Sequence, residues 1–588
     1  MNKLFAVALV LLVASVVRAD QLDIRRRYEE TLIVAALRRT NAAIDPAPEG
    51  KHIEGIVVVA NDVIMPGDYG IPYKIPIVHP LLEHVTWLDH LHVRTQPYII
   101  KQELLFRVGD TLHADLVDES ARNLRALFIL SVARIVVVRG SVPDSVVVLV
   151  VTKDNWSLRP NTNFSFDQAR IDSLSFSLAE NNIAGRNKTL SLQYALDPGR
   201  HTVGVGWVDP RIRGSRIQLT LLGDVFLNRA TGNREGGLGQ ITLGRPLYSL
   251  RTQWGWQAAG SFVDEITRQF QGGNLRQLKY GHELIPDYFH DRVWSSSLQG
   301  TRSFGVIDKL NLTAGFLVAS VLYKLTDDFP TTLSSGARAA YLATLPRSEN
   351  ASGPYVQVAA FRATYVRLQN INSFALSEDF RTGPSMSLSL RFADPVFGFD
   401  SRYLAITAAY GATYYGRDNL LSFAMNGAAR LQPGIVAGDS WVNQVFGASF
   451  HEVTPRFSVL RLHIAGAFQF RRNDTTNSRV SLGSDSGLRG FAPRELVGNN
   501  FYRINVELRT LALNLWTVHI GAVIFYDGGD APVSLLTASW HQDAGVGLRV
   551  LFPQFNKDVL RFDLAFPMEL AAGGGYAPRF SLSFGQSF

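Results

Sequence analysis

The chain has 588 residues, 46% of them hydrophobic, no cysteine and a formal charge of +7. That length exceeds one ordinary soluble domain. With mean hydropathy close to zero and no apolar run of the roughly 18 to 20 residues a membrane helix needs beyond the first twenty, helical spans are excluded. The zero cysteine count excludes disulfides and thiolate metal sites, and the charge is too small and dispersed to argue for nucleic acid.

Residues 1–19 read as a secretory signal peptide. Lys3 supplies the positive start, Leu4 to Val17 the apolar stretch, and Val17-Arg18-Ala19 the small-residue cleavage site, so a mature chain is expected to begin near Asp20. Losing Lys3 and Arg18 lowers the formal charge from +7 to +5.

Residues 20–51 comprise a short basic helix, Asp20 to about Arg39, and a linker carrying Pro46 and Pro48. The helix is expected to be a packing helix or a mobile arm. From 52 to 154 the pattern is mixed: strands at Ile53 to Ala60, Ala133 to Val138 and Ser145 to Asp154, and helical spacing at Thr95 to Phe106 and Asp115 to Ile129. This predicts a β, α, α, β, β unit of roughly 100 residues. The Pro-rich stretch Met65 to Pro80 interrupts it as an insertion. His79, His84, His90 and His92 lie near Glu83 and Asp89, but their spacing defines no metal geometry, and neither metal nor cofactor is expected.

From 155 to 588 the texture changes to alternation. In Phe457 to Arg471, Leu460, Leu462, Ile464, Phe468 and Phe470 share one face, and Arg461, His463, Gln469 and Arg471 the other. Arg503, Asn505, Glu507 and Arg509 line one face of a later strand. Strands this long and this regularly alternating predict a transmembrane antiparallel β-barrel with apolar residues outward, of about 16 strands at roughly 10 to 14 residues each plus turns.

Three segments carry a resemblance to a known family: Leu104 to Asp110 (LLFRVGD) with the helix and strand that follow, Gly487 to Phe491 (GLRGF), and Ala522 to Gly529 (AVIFYDGG) with the strands around it. The 52–154 unit resembles a POTRA domain, and the barrel resembles the BamA/TamA superfamily of outer-membrane assembly factors. The resemblance implies that a long loop carrying Gly487, Arg489, Gly490 and Phe491 folds back into the lumen and that Arg489 meets Asp527. Phe525 and Gly529 belong to the supporting strand motif. The ending Arg579 to Phe588 resembles an assembly signal through Phe584, Gly585 and Phe588, and the last strand is expected to meet the first, about Trp156 to Asp167, at a lateral seam.

What the resemblance implies is a non-enzymatic protein of the cell outer membrane of a Gram-negative type bacterium, with the POTRA-like domain in the periplasm. Its partners are expected to be the lipid bilayer, unfolded outer-membrane or secreted polypeptides, and periplasmic proteins bound through that domain. No GxSxG, HExxH or P-loop motif suggests an enzyme. Two alternatives stay open: a two-partner-type secretion pore for one dedicated substrate, and a lipid-export or structural barrel without insertase activity.

Overall fold

The computed structural model describes residues 24–63, 92–167, 170–271, 274–374, 377–436, 438–515, 518–552, 558–569 and 578–586. The expected signal peptide, the Met65 to Pro80 insertion, His79, His84, His90 and Phe588 lie outside them.

The N-terminal unit follows the order α1 (Ile24–Thr40), β1 (His52–Asn61), α2 (Pro97–Glu103), α3 (Ala114–Ala126), β2 (Leu130–Arg139) and β3 (Ser145–Asp154). The sheet runs β1-β3-β2, with β1 parallel and β2 antiparallel to β3. The near-continuous Val and Leu of β3 suit a strand covered on both faces. Ile99, Ile100, Leu104 and Leu124 of the α2–α3 side pack on Val146, Val148 and Val150. Leu32 and Ala36 of α1 pack on Leu149 and Val151 of the opposite face, so α1 is a packing helix. Glu49 accepts the Ala114 N–H at 2.8 Å and caps α3 in place of a side chain at its own N-cap. The chain after α1 also joins the outer edge of β2, where Asp45 N–H meets Val137 O at 3.1 Å and Arg139 N–H meets Ala43 O at 2.9 Å.

The remaining chain closes one antiparallel barrel. Among the described residues it has twenty-two strand segments, and two of these continue a neighbour across a short break, leaving twenty staves. The expectation of about sixteen strands is therefore too low. The first six strands are only nine to twelve residues long, and Asp197 and Arg200 are joined by a two-residue turn, so this part of the chain holds more strands than a count based on long outer loops allows. Leu298, Leu312, Val356, Leu388 and Phe446 are exposed on the outward face, as the alternation requires. Among the described residues no helix is long and apolar enough to cross a membrane.

The barrel closes weakly. Among the described residues the last strand, Arg579–Phe584, pairs with the first, Leu158–Asp167, at Ser581↔Ser165 and Leu582↔Phe164, whereas Tyr288–Phe304 and Asp308–Lys324 share fifteen pairs.

The N-terminal unit is docked on the barrel end from which the first strand starts. Gln96 N–H bonds to Gly185 O at 2.9 Å, Arg211 Nε to Glu103 at 2.6 Å, and Leu250 N–H to Glu119 at 2.6 Å, across three successive turns. Burial in this junction pushes the Glu119 carboxyl above its ordinary value. Across the rim, Arg125 forks onto Asp379 at 2.7 and 2.9 Å.

Candidate functional site

The segment between strands Leu460–Arg472 and Phe501–Thr510 enters the lumen from the far end of the barrel. A short ladder, Val480–Leu482 against Leu496–Gly498, forms its neck, and the tip is held by Leu488 N–H to Gly483 O at 2.9 Å and Phe491 N–H to Leu488 O at 3.1 Å. Two glycines are required at the tip. Gly487 has φ 111°, a left-handed conformation, and a Cβ on Gly490 would stand 2.5 Å from Asp543 Cβ. Gly490→Ala is therefore expected to lift the tip off the wall, seen as a lower fraction of heat-modifiable, folded protein on unheated gels. An unchanged fraction would show that the close approach is dispensable.

Arg489 projects from this tip and is 2% exposed. Its Nε and Nη2 fork onto the two Asp527 oxygens at 2.7 and 2.8 Å. Its Nη1 bonds to Glu507 and lies 3.4 Å from Asp563 Oδ2. The guanidinium carbon stands 3.5 Å from the Phe525 ring centroid, adding a cation–π contact. Asn505 donates to both Gly487 O (2.6 Å) and Asp527 (2.8 Å), and Arg503 donates to Ser486 O.

Around this fork lies a wider network. Arg509 Nε meets Glu507 at 2.7 Å, Arg549 Nη1 meets Asp563 at 2.6 Å, and Arg549 and Glu507 approach to 3.4 Å. Arg561 lies 3.4 Å from Asp563, and Asp543 is the register partner of Asp527 on the next strand. Four arginines, 489, 509, 549 and 561, thus face four carboxylates, 507, 527, 543 and 563; all are buried except Arg561, which is partly exposed at the edge of the group. Charge-assisted forks of this kind hold a loop rigidly, because each donor direction is fixed by the planar guanidinium.

The structure brings together Gly487, Arg489, Gly490, Asp527 and Phe525 at the latch. Phe491 is buried with Leu482, Leu488 and Ala531 and meets the His541 ring edge-on at 5.9 Å. Gly529 lies where the Tyr502 carbonyl crosses, 2.3 Å from where a Cβ would sit. Phe584 ends the last strand, and Gly585 follows at φ 87° with its N–H on Val559 O at 2.8 Å; the next residue, Gln586, accepts from Arg549 Nε at 3.3 Å. Sequence reasoning placed Glu507 and Arg509 on an inward face without giving them a partner, and it missed Arg549, Asp543 and Asp563. The available signal was parity, since Asp563 and Arg561 alternate with apolar residues in Leu560–Pro567. Among the described residues no cluster of three or more His, Asp or Glu could hold a metal ion.

No protein-family model matches the chain, and no curated protein matches it. Among solved structures it is similar to BamA from Haemophilus ducreyi lacking POTRA domains 1-3, with 11% identity over 84% of this chain and 82% of that one and a TM-score of 0.35. It is also similar to CdiB from Acinetobacter baumannii and from Escherichia coli, each with 11% identity over 96% of this chain and 98% of the other, at TM-scores of 0.39 and 0.41.

Proposed function

We propose that the chain is an outer-membrane barrel of the BamA/TamA type that assists the insertion or translocation of other polypeptides, with its N-terminal POTRA-like unit in the periplasm and no enzymatic activity of its own. One observation carries the reading: the loop bearing GLRGF is clamped inside the barrel by Arg489 and Asp527, while the wall beside it, between the last strand and the first, is closed by two residue pairs. A rigid interior beside a poorly paired seam leaves backbone donors and acceptors of the first and last strands available to an incoming strand. The β, α, α, β, β unit docked at the rim supports the same reading. Clients are unfolded outer-membrane or secreted polypeptides, and the outward apolar face meets lipid.

The secretion-pore alternative is weakened by the position of α1. A helix plugging the lumen would favour it, whereas α1 lies on the domain's own sheet.

The test is folding of an unfolded barrel client into proteoliposomes. Four preparations are compared: the intact protein, Arg489→Ala, a Ser165→Cys/Ser581→Cys pair, and empty liposomes. The two cysteines would be the only ones in the chain, and register partners in an antiparallel pair stand within disulfide reach. The intact protein accelerates client folding, Arg489→Ala does not, and the oxidised pair does not until it is reduced. Absence of acceleration by the intact protein, together with steady pore conductance, would replace the insertase reading with a dedicated pore.

A further inference from the structure

Residues 370–374, which follow strand Thr364–Gln369, do not stay at the rim. The Glu378 carboxylate gathers the N–H groups of Ile371, Asn372 and Ser373 at 3.2, 2.9 and 3.2 Å, which folds the turn inward. Phe374 is buried with Leu551 and Val559, and a Cβ on Gly521 would stand 2.6 Å from its ring. Gly521 and Leu551 share the inward faces of their strands with Asp527 and Arg549, so Phe374 sits inside the lumen. Arg509 Nη1 lies 3.4 Å from Ile371 O, and Ile371 is buried with Leu420 and Val453. Residues 370–374 are therefore a wedge crossing the docked end of the barrel.

The strands flanking this wedge are gripped by the N-terminal unit. Arg125 forks onto Asp379, the Ser377 hydroxyl donates to Glu29 at 3.1 Å, and Glu29 accepts from Arg134 of β2 at 2.7 Å. On the strand before the wedge, Arg122 stands 4.5 Å from the Tyr365 ring centroid. At its inner side the wedge meets Arg509, whose partner Glu507 is also a partner of Arg489.

We propose that residues 370–374 are a gate at the docked end of the lumen, held shut by the position of the N-terminal unit. Docking fixes Ser377 and Asp379 on either side of Glu378, whose carboxylate holds Ile371, Asn372 and Ser373 and so keeps Phe374 against Leu551 and Val559. Undocking releases them, and the wedge withdraws to let hydrated ions and small solutes pass. The contacts form one contiguous chain from Arg125 to Arg489, so the gate and the latch share a charge network. This inference rests only on the barrel spanning a membrane and not on its acting on clients.

Single-channel conductance of the full chain in planar bilayers tests it, with insertion of every variant checked by heat-modifiable migration. The intact protein stays mostly closed. Phe374→Ala raises the open fraction at least about tenfold, since a tenfold shift needs about 1.4 kcal/mol and truncating a buried Phe removes more than that. Asp379→Arg places two like charges together and opens the pore with the wedge itself intact, and the swap Arg125→Asp/Asp379→Arg closes it again. Inserted Phe374→Ala barrels that stay as closed as the intact protein would overturn the gate. A swap that fails to reclose would overturn its control by docking. An intact chain that never inserts would overturn the membrane-spanning reading along with both.

Discussion

Arg489→Ala should lower the unfolding free energy of the barrel in lipid vesicles by about 3–5 kcal/mol, the range for breaking one side of a buried ion pair. The loss exceeds that of a surface pair because Asp527 would keep its buried neighbour Asp543 without the cation that offsets them. Arg489→Lys should recover little of it. An ammonium is a point donor and cannot fork onto Asp527 while also reaching Glu507. The double variant Arg489→Ala/Asp527→Ala should be less damaging than the sum of its parts, because each single change strands the other residue. Urea midpoints in vesicles measure all three, and a wild-type midpoint for Arg489→Ala would remove the latch as a structural element.

A larger effect is expected from Glu507→Gln, which keeps the size and loses the charge. Glu507 accepts from Arg489 and Arg509 and lies 3.4 Å from Arg549. Its loss leaves Arg489, Arg509, Arg549 and Arg561 facing only Asp527, Asp543 and Asp563 within the network. A stranded carboxylate can take up a proton, but an arginine cannot shed one, so an excess of buried cations has no chemical escape. Glu507→Gln should therefore give little or no folded barrel on unheated gels, while Asp527→Asn, which also relieves the repulsion from Asp543, should remain partly folded. Equal folded fractions for the two variants would show that Glu507 is not the hub of the network.

The difference between these residues also shows what could be read before the structure. The Arg489–Asp527 pair was legible through the family resemblance carried by GLRGF and AVIFYDGG, short segments marked out by their glycines and aromatics. Glu507 was legible only as inward-facing, because side-chain parity is local, whereas its partners come from a loop and from strands whose stagger is set around the whole barrel. Parity alone could not pair Arg549 with Asp563. The strand total failed for a related reason, since turn length leaves little trace in an alternating pattern. The order of α2, α3, β2 and β3 was readable because the period changes from 3.6 to 2 at Leu130, and the doubly apolar β3 already called for cover on both faces. Nothing in residues 370–374 distinguishes an inward wedge from an ordinary rim turn, because what draws it in is Glu378 below and a space beside Gly521 on a distant strand.

The chain segment at Ala43 to Asp45, lying along β2, has a kinetic consequence for any polypeptide that would pair with that edge. A tethered occupant competes at an effective concentration on the order of millimolar, whatever the dilution of the protein. A free strand at micromolar levels must therefore bind roughly a thousandfold more tightly than Ile44 and its neighbours to displace them. Short or weakly matching segments would be turned away at β2, and the edge would answer only to partners long enough to extend past the stretch the chain already covers.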